Sequence, residues 1–255
     1  MMKSSILIAL LAVGLTIPTT GINAQESTEE PIIKAEFTVY SLKRLQGLKF
    51  IHGDRKGASA LEFFSSARSR LYEYEGPNPI IFFRETPAPT IEDPKAVNRT
   101  KVAELTLPQE GGEFLFIFFP NSNRDNEEYQ IYQLDDSKGE LPNGSIRLFN
   151  ATSFQLEGVF GRNKFNLAPG PSEAYRVSGN SISLGLGFRY EGKFHMSYNG
   201  PVELETNSRG LFMVFPPFVK GSAILQTRYL RDSEPEPKQD LEVRSESSSS
   251  MAPLD

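Results

Sequence analysis

Two apolar runs, Phe114-Leu115-Phe116-Ile117-Phe118-Phe119 and Leu211-Phe212-Met213-Val214-Phe215, are each followed by proline. Neither run alternates apolar with polar residues, which is the pattern of a strand covered on both faces. Placing Leu115 on Leu211 matches eight of 23 ungapped positions: Leu115/Leu211, Phe116/Phe212, Phe119/Phe215, Pro120/Pro216, Gln130/Gln226, Leu134/Leu230, Asp136/Asp232 and Ser137/Ser233. The chain is therefore an internal duplication, and any fold must use the same strand plan twice.

Upstream, Phe83-Arg84-Glu85 pairs loosely with Phe188-Arg189-Tyr190-Glu191, and Gly53 and Lys56 meet Gly161 and Lys164. The offset shrinks by about ten residues between these anchors and the apolar runs, so the first copy carries an insertion. Residues 86–101, with Pro87, Pro89 and Pro94, are where a loop of that kind belongs.

Period-two runs such as Phe37-Thr38-Val39-Tyr40, Ile146-Arg147-Leu148-Phe149 and Ile182 to Phe188 read as half-buried strands. Turn clusters at Gly76-Pro77-Asn78-Pro79, Pro142-Asn143-Gly144, Pro169-Gly170-Pro171 and Asn199-Gly200-Pro201 separate them. Only Gly57 to Tyr74 leaves room for a short helix: Ala58, Ala60, Leu61, Phe64, Ala67 and Leu71 fall near one helical face, although Ser65, Ser66 and Ser69 do not favour helix. The expectation is an all-β protein of two tandem or pseudo-symmetric β-sandwich, immunoglobulin-like units, over residues 32–140 and 141–232. In size and two-unit architecture this resembles the two-domain periplasmic pilus chaperones, but their subunit-anchoring arginine and lysine pattern has no counterpart here.

The ends differ from the body. Residues 1–24 read as a signal peptide, with Lys3 at the start, an apolar stretch from Ile6 to Ile17, and Ala24 at the cleavage site. That stretch is short of the ~20 residues a membrane span needs, so no transmembrane anchor is expected. Residues 25–31 form an acidic flexible segment, and 233–255, with Glu234-Pro235-Glu236-Pro237 and Ser245 to Ser250, an acidic, serine-rich disordered tail. The formal charge of -5 belongs to these ends, since Ile32 to Arg231 carries a small positive excess without a dense basic run. Nucleic-acid binding is not expected on that balance.

Zero cysteines remove disulfides, thiolate metal sites and thiol nucleophiles. An exported chain without cysteine points to a bacterial envelope, periplasmic or extracellular, where the Asn-x-Ser/Thr matches at Asn98, Asn143 and Asn150 are incidental.

Five constellations bear on chemistry. Asn121 to Glu128 begins like a calcium loop, but Asn126 stands where the turn glycine belongs and Tyr132 where the bidentate glutamate belongs, so a solvated hairpin tip is expected. His52 precedes Gly53-Asp54, and His195 alternates with aromatics, yet no Gly-x-Ser-x-Gly turn supplies a nucleophile; both read as structural. Glu127, Glu128, Asp135 and Asp136 are carboxylates of the type a hydrolase uses, but nothing selects a pair, and Asp136-Ser137 and Asp232-Ser233 read as turn caps. Gly185 and Gly187 leave one strand face bare, with packing against the neighbouring unit as the simplest use and a flat ligand as the other. Nineteen phenylalanines and nine tyrosines allow an aromatic contact platform, although most must fill the core.

No catalytic residue, metal or cofactor is assigned. The leading reading is a non-enzymatic envelope or extracellular interaction module with a protein partner. The alternative is a carbohydrate- or small-ligand-binding module, and a carboxylate-based hydrolase comes third.

Overall fold

The computed structural model describes residues 32–43, 45–53, 57–62, 65, 67–120, 128–205, 207–219 and 221–233. The residues 1–24 that read as a signal peptide, the acidic 25–31, the calcium-like positions 121–127 and nearly all of the tail lie outside them. Every regular element among the described residues is a strand.

Eight strands form the first unit: β1 (Ile32–Ser41), β2 (Leu48–His52), β3 (Gly57–Ala60), β4 (Tyr72–Pro77), β5 (Ile80–Pro87), β6 (Val97–Leu105), β7 (Gly112–Pro120) and β8 (Tyr129–Asp135). They make two sheets, ordered β4-β1-β7-β8 and β3-β2-β5-β6. Eight more form the second: β9 (Ser145–Asn150), β10 (Leu156–Phe160), β11 (Asn163–Leu167), β12 (Gly170–Arg176), β13 (Ser181–Tyr190), β14 (Lys193–Glu203), β15 (Ser208–Phe215) and β16 (Gln226–Ser233). Their sheets are β12-β9-β15-β16 and β11-β10-β13-β14, the first plan advanced by eight strands. Even the parallel pair recurs, as β1 on β7 and β9 on β15.

The sequence matches are cross-strand partners in both copies. Leu115 faces Leu134 as Leu211 faces Leu230, and Phe119 faces Gln130 as Phe215 faces Gln226. A serine hydroxyl also recurs: Val39 N donates to Ser69 Oγ at 2.8 Å, and Leu148 N to Ser172 Oγ at 3.0 Å. Gly53 and Gly161 each leave their strand with φ near +65 and +63, a turn conformation that a Cβ would strain.

The copies differ most in one hairpin. β5 and β6 close between Pro87 and Val97, whereas β13 and β14 close between Tyr190 and Lys193 through Glu191 and Gly192, both at positive φ. The extra residues of the first copy sit in that first hairpin. The helix weighed for Gly57 to Tyr74 is absent among the described residues. Gly57 to Ala60 pairs with β2 instead, and Ser69 is tied to Val39 through both its backbone and its hydroxyl. Pairing of 57–60 with the neighbouring β2 and of Ser69 with β1 outweighs weak helix propensity there.

Each unit is sandwich-like, with one core between its two sheets. Phe37, Val39, Phe116 and Phe118 meet Leu48, Phe50, Phe82 and Val102 in the first. Ile146, Leu148, Phe212 and Val214 meet Leu156, Leu184, Leu186 and Phe188 in the second. A third core joins the units: Tyr40, Leu115, Ile117 and Leu134 pack on Phe149, Leu211, Met213, Phe215 and Leu230. The central strands β7 and β15 are therefore covered on both faces, which is why they lack alternation.

A polar cluster edges this junction. Arg68 donates to the buried Asp136 carboxylate and to Thr38 Oγ1, and Arg209 Nη2 reaches Asp136 Oδ2 at 3.2 Å and Asp232 Oδ2 at 2.9 Å. The turn-cap role expected for Asp136 belongs to its neighbour, since Ser137 N donates to Asp135 Oδ1 at 2.9 Å. Buried Arg147 donates to the carbonyl oxygens of Asp135 and Glu140, fastening the chain between the units.

Candidate functional site

The residues singled out from sequence do not converge. His52 packs on Phe50 at 6.2 Å and rims a shallow recess with Lys34, Glu36, Glu73, Glu75 and Glu113. His195 belongs to the other unit, on β14, with its ring 5.6 Å from Phe188 and 6.3 Å from Tyr190 of β13. Glu128 is bound to Arg84, Asp135 caps a turn, and Asp136 is engaged by two arginines. Among the described residues no group of three or more acidic or histidine side chains is placed to hold a metal ion. Nor does any helix among them have the length and apolarity to cross a membrane.

The glycine face is on the outer sheet of the second unit, away from the first. Leu184, Leu186 and Phe188 fill the core, while the bare side of Gly187 is taken by the Phe194 ring. A Cβ at Gly187 would collide with that ring and with the His195 carbonyl oxygen, so the glycine serves a local aromatic cover rather than the neighbouring unit.

A different place gathers exposed aromatic and apolar groups. At one end of the second unit a cleft of about 460 Å³ is lined by Phe154, Phe188, Tyr190, Pro216, Phe218 and Val219. Three segments build it: the β9–β10 turn, the end of β13 and the β15–β16 loop.

Asn150 sets the first segment. Its side chain is 1% exposed; Nδ2 donates to the carbonyl oxygens of Phe154 at 2.7 Å and Leu167 at 3.1 Å. Its Oδ1 accepts from Thr152 N at 3.0 Å and Thr152 Oγ1 at 2.7 Å. The matched Asn-x-Thr is thus a buried turn anchor with no free amide to modify. It brings the Phe154 ring to 4.5 Å from Phe188 and 6.2 Å from Tyr190.

The β15–β16 loop begins at Pro216-Pro217, where the ladder must stop because proline lacks the N–H. Gln226 Nε2 holds the Pro216 carbonyl oxygen at 2.9 Å, and Ser222 N donates to Val219 O at 3.1 Å. The tip displays Phe218 at 81% exposure, Val219 at 64% and Ile224 at 76%. Sequence reading missed this cluster. Its signal was the segment Pro-Pro-Phe-Val-Lys-Gly-Ser-Ala-Ile-Leu, which is apolar where a strand-to-strand turn is ordinarily polar.

Electrostatics at the cleft are quiet, since among the described residues no charged side chain lines it. Perturbed groups lie elsewhere. Burial pushes the Tyr229 phenol up to about 12 despite Arg231, and Tyr229 Oη donates to Glu203 O at 2.9 Å. The Lys49 ammonium, with Arg99, holds the Glu85 carboxyl below its usual range. What the site offers is aromatic faces and apolar tips, suited to binding rather than to proton transfer. No protein-family model matches the chain, and no curated protein is similar to it.

Proposed function

We propose that this protein is an exported, non-enzymatic interaction module of a bacterial envelope or extracellular space. Its contact surface is the β15–β16 loop with the aromatic cleft behind it. The observation that carries this reading is the exposure of Phe218, Val219 and Ile224 on one loop, of which Phe218 and Val219 also line that cleft. Contiguous exposed apolar side chains mark places where something else binds. Export rests on the signal-like residues 1–24 alone.

For the fold, support reaches two similar two-sheet units. An immunoglobulin-like constant domain sets strands ABED against CFG, an order that differs from the four-on-four plan here.

The cleft also favours a second reading, a site for a small uncharged apolar or aromatic ligand, because its volume falls in the range of small-molecule pockets. A sugar is less suited, since its hydroxyls need converging polar side chains and these walls are mostly ring and aliphatic.

The test is capture from an envelope extract containing both proteins and lipids, with the immobilised chain from Gln25 onward against the same chain carrying Phe218→Asp/Val219→Asp. The reading expects a component retained by the wild type and at least tenfold depleted on the variant. Equal capture by both would remove the loop from the interface, and turnover of a substrate by the pure protein would overturn the non-enzymatic reading.

A further inference from the structure

Resting on the interaction-module reading, we infer that the β15–β16 loop docks on an anionic lipid surface, inserting Phe218, Val219 and Ile224 into its apolar layer. All three side chains are exposed over most of their surface, which fits a soft apolar layer better than a rigid seat. Pro216 and Pro217 stiffen the stem, and Ser222 with its bond to Val219 O closes the tip, so little chain freedom is lost on docking.

Charge selects the surface. From Thr206 to Arg231 the chain contains no acidic residue, while Lys220 lies within the loop sequence and Arg228 follows shortly after it in β16. The corresponding stretch of the first copy, Asn121 to Glu128, carries Asp125, Glu127 and Glu128 against Arg124. Two segments at the same place in the strand plan thus have opposite character, one acidic and polar, the other apolar and cationic. A loop sequence with a lysine, no acid and exposed apolar side chains complements a surface that is negative outside and apolar beneath. Tyr190, half-exposed at the cleft wall, adds an amphipathic ring of the kind that favours the headgroup level.

The chain has no tryptophan, so Phe218→Trp gives a single reporter at the tip. Protein beginning at Gln25, without the signal-like residues 1–24, is sedimented with vesicles of phosphatidylcholine alone or mixed equally with phosphatidylglycerol. The expected result is co-sedimentation with the anionic vesicles, roughly tenfold weaker on neutral ones or in high salt. Indole emission from the Phe218→Trp variant should shift to the blue on the anionic vesicles, and Phe218→Asp/Val219→Asp, with unchanged circular dichroism, should stay in the supernatant. Equal binding to neutral vesicles, or sedimentation undiminished in the Asp variant, overturns the inference. If neither vesicle binds but a protein from the envelope extract is still retained through Phe218, the lipid inference falls and the interaction module stands. If nothing is retained in either experiment, both fall.

Discussion

At the scale of single residues, neighbours of similar chemistry receive different tasks from their surroundings. Asp135 is exposed and caps a turn, while Asp136 is buried between arginines from two units. A buried charge of that kind is tolerable only when paired, and Arg68 and Arg209 supply the pairing. Tyr229 shows the same dependence on place. Its half-buried phenol keeps its proton to about 12, whereas in the unfolded chain it releases it near 10. The stability from this site is therefore full below pH 10 and is lost as pH rises toward 12. Urea unfolding of wild type and Tyr229→Phe across that window should show the variant losing less stability. Tyr132 and Tyr175 are raised by burial too, so the difference between the two proteins, not the wild-type curve alone, reports Tyr229.

At the scale of elements, the cleft end of the second unit depends on turns more than on strands. The β9–β10 turn is held by the Asn150 side chain, and the position of Phe154 follows from it. Asn150→Ala would leave the carbonyl oxygens of Phe154 and Leu167 and the Thr152 N–H without that partner. Its expected cost is roughly 2–4 kcal/mol in urea unfolding, because buried groups lose hydrogen bonds that water cannot replace. A loss below about 0.5 kcal/mol would show that the turn does not need the amide. The elongated β5–β6 hairpin and the two-residue β13–β14 hairpin make the related point that insertions enter where strands reverse at the surface.

At the scale of the whole molecule, the third core couples the two copies. Leu115, Ile117, Leu211 and Met213 are each at most 2% exposed, and separation of the units would bare them all. Burial of such side chains contributes on the order of 1.5–3 kcal/mol each, so neither unit should melt alone. Calorimetry of the full chain should give one transition whose van't Hoff and calorimetric enthalpies agree. Two resolved transitions would show that the junction couples the units too weakly to enforce joint unfolding.

What the sequence determined by itself was the plan: two strand repeats, strands buried on both faces at Phe114–Phe119 and Leu211–Phe215, and a longer reversal in the first copy. These are carried by residue periodicity and by repetition, which are local signals. Tertiary structure decided which surfaces meet and which stay open. That Asp136 meets Arg209 and that Phe218 and Phe154 line one cleft depend on residues brought together from distant parts of the chain, and that Gly187 faces Phe194 depends on how the β13–β14 hairpin pairs. A bare glycine face and an apolar loop look alike as strings of residues. Their difference is solvent access, and that exists only once the sheets have packed.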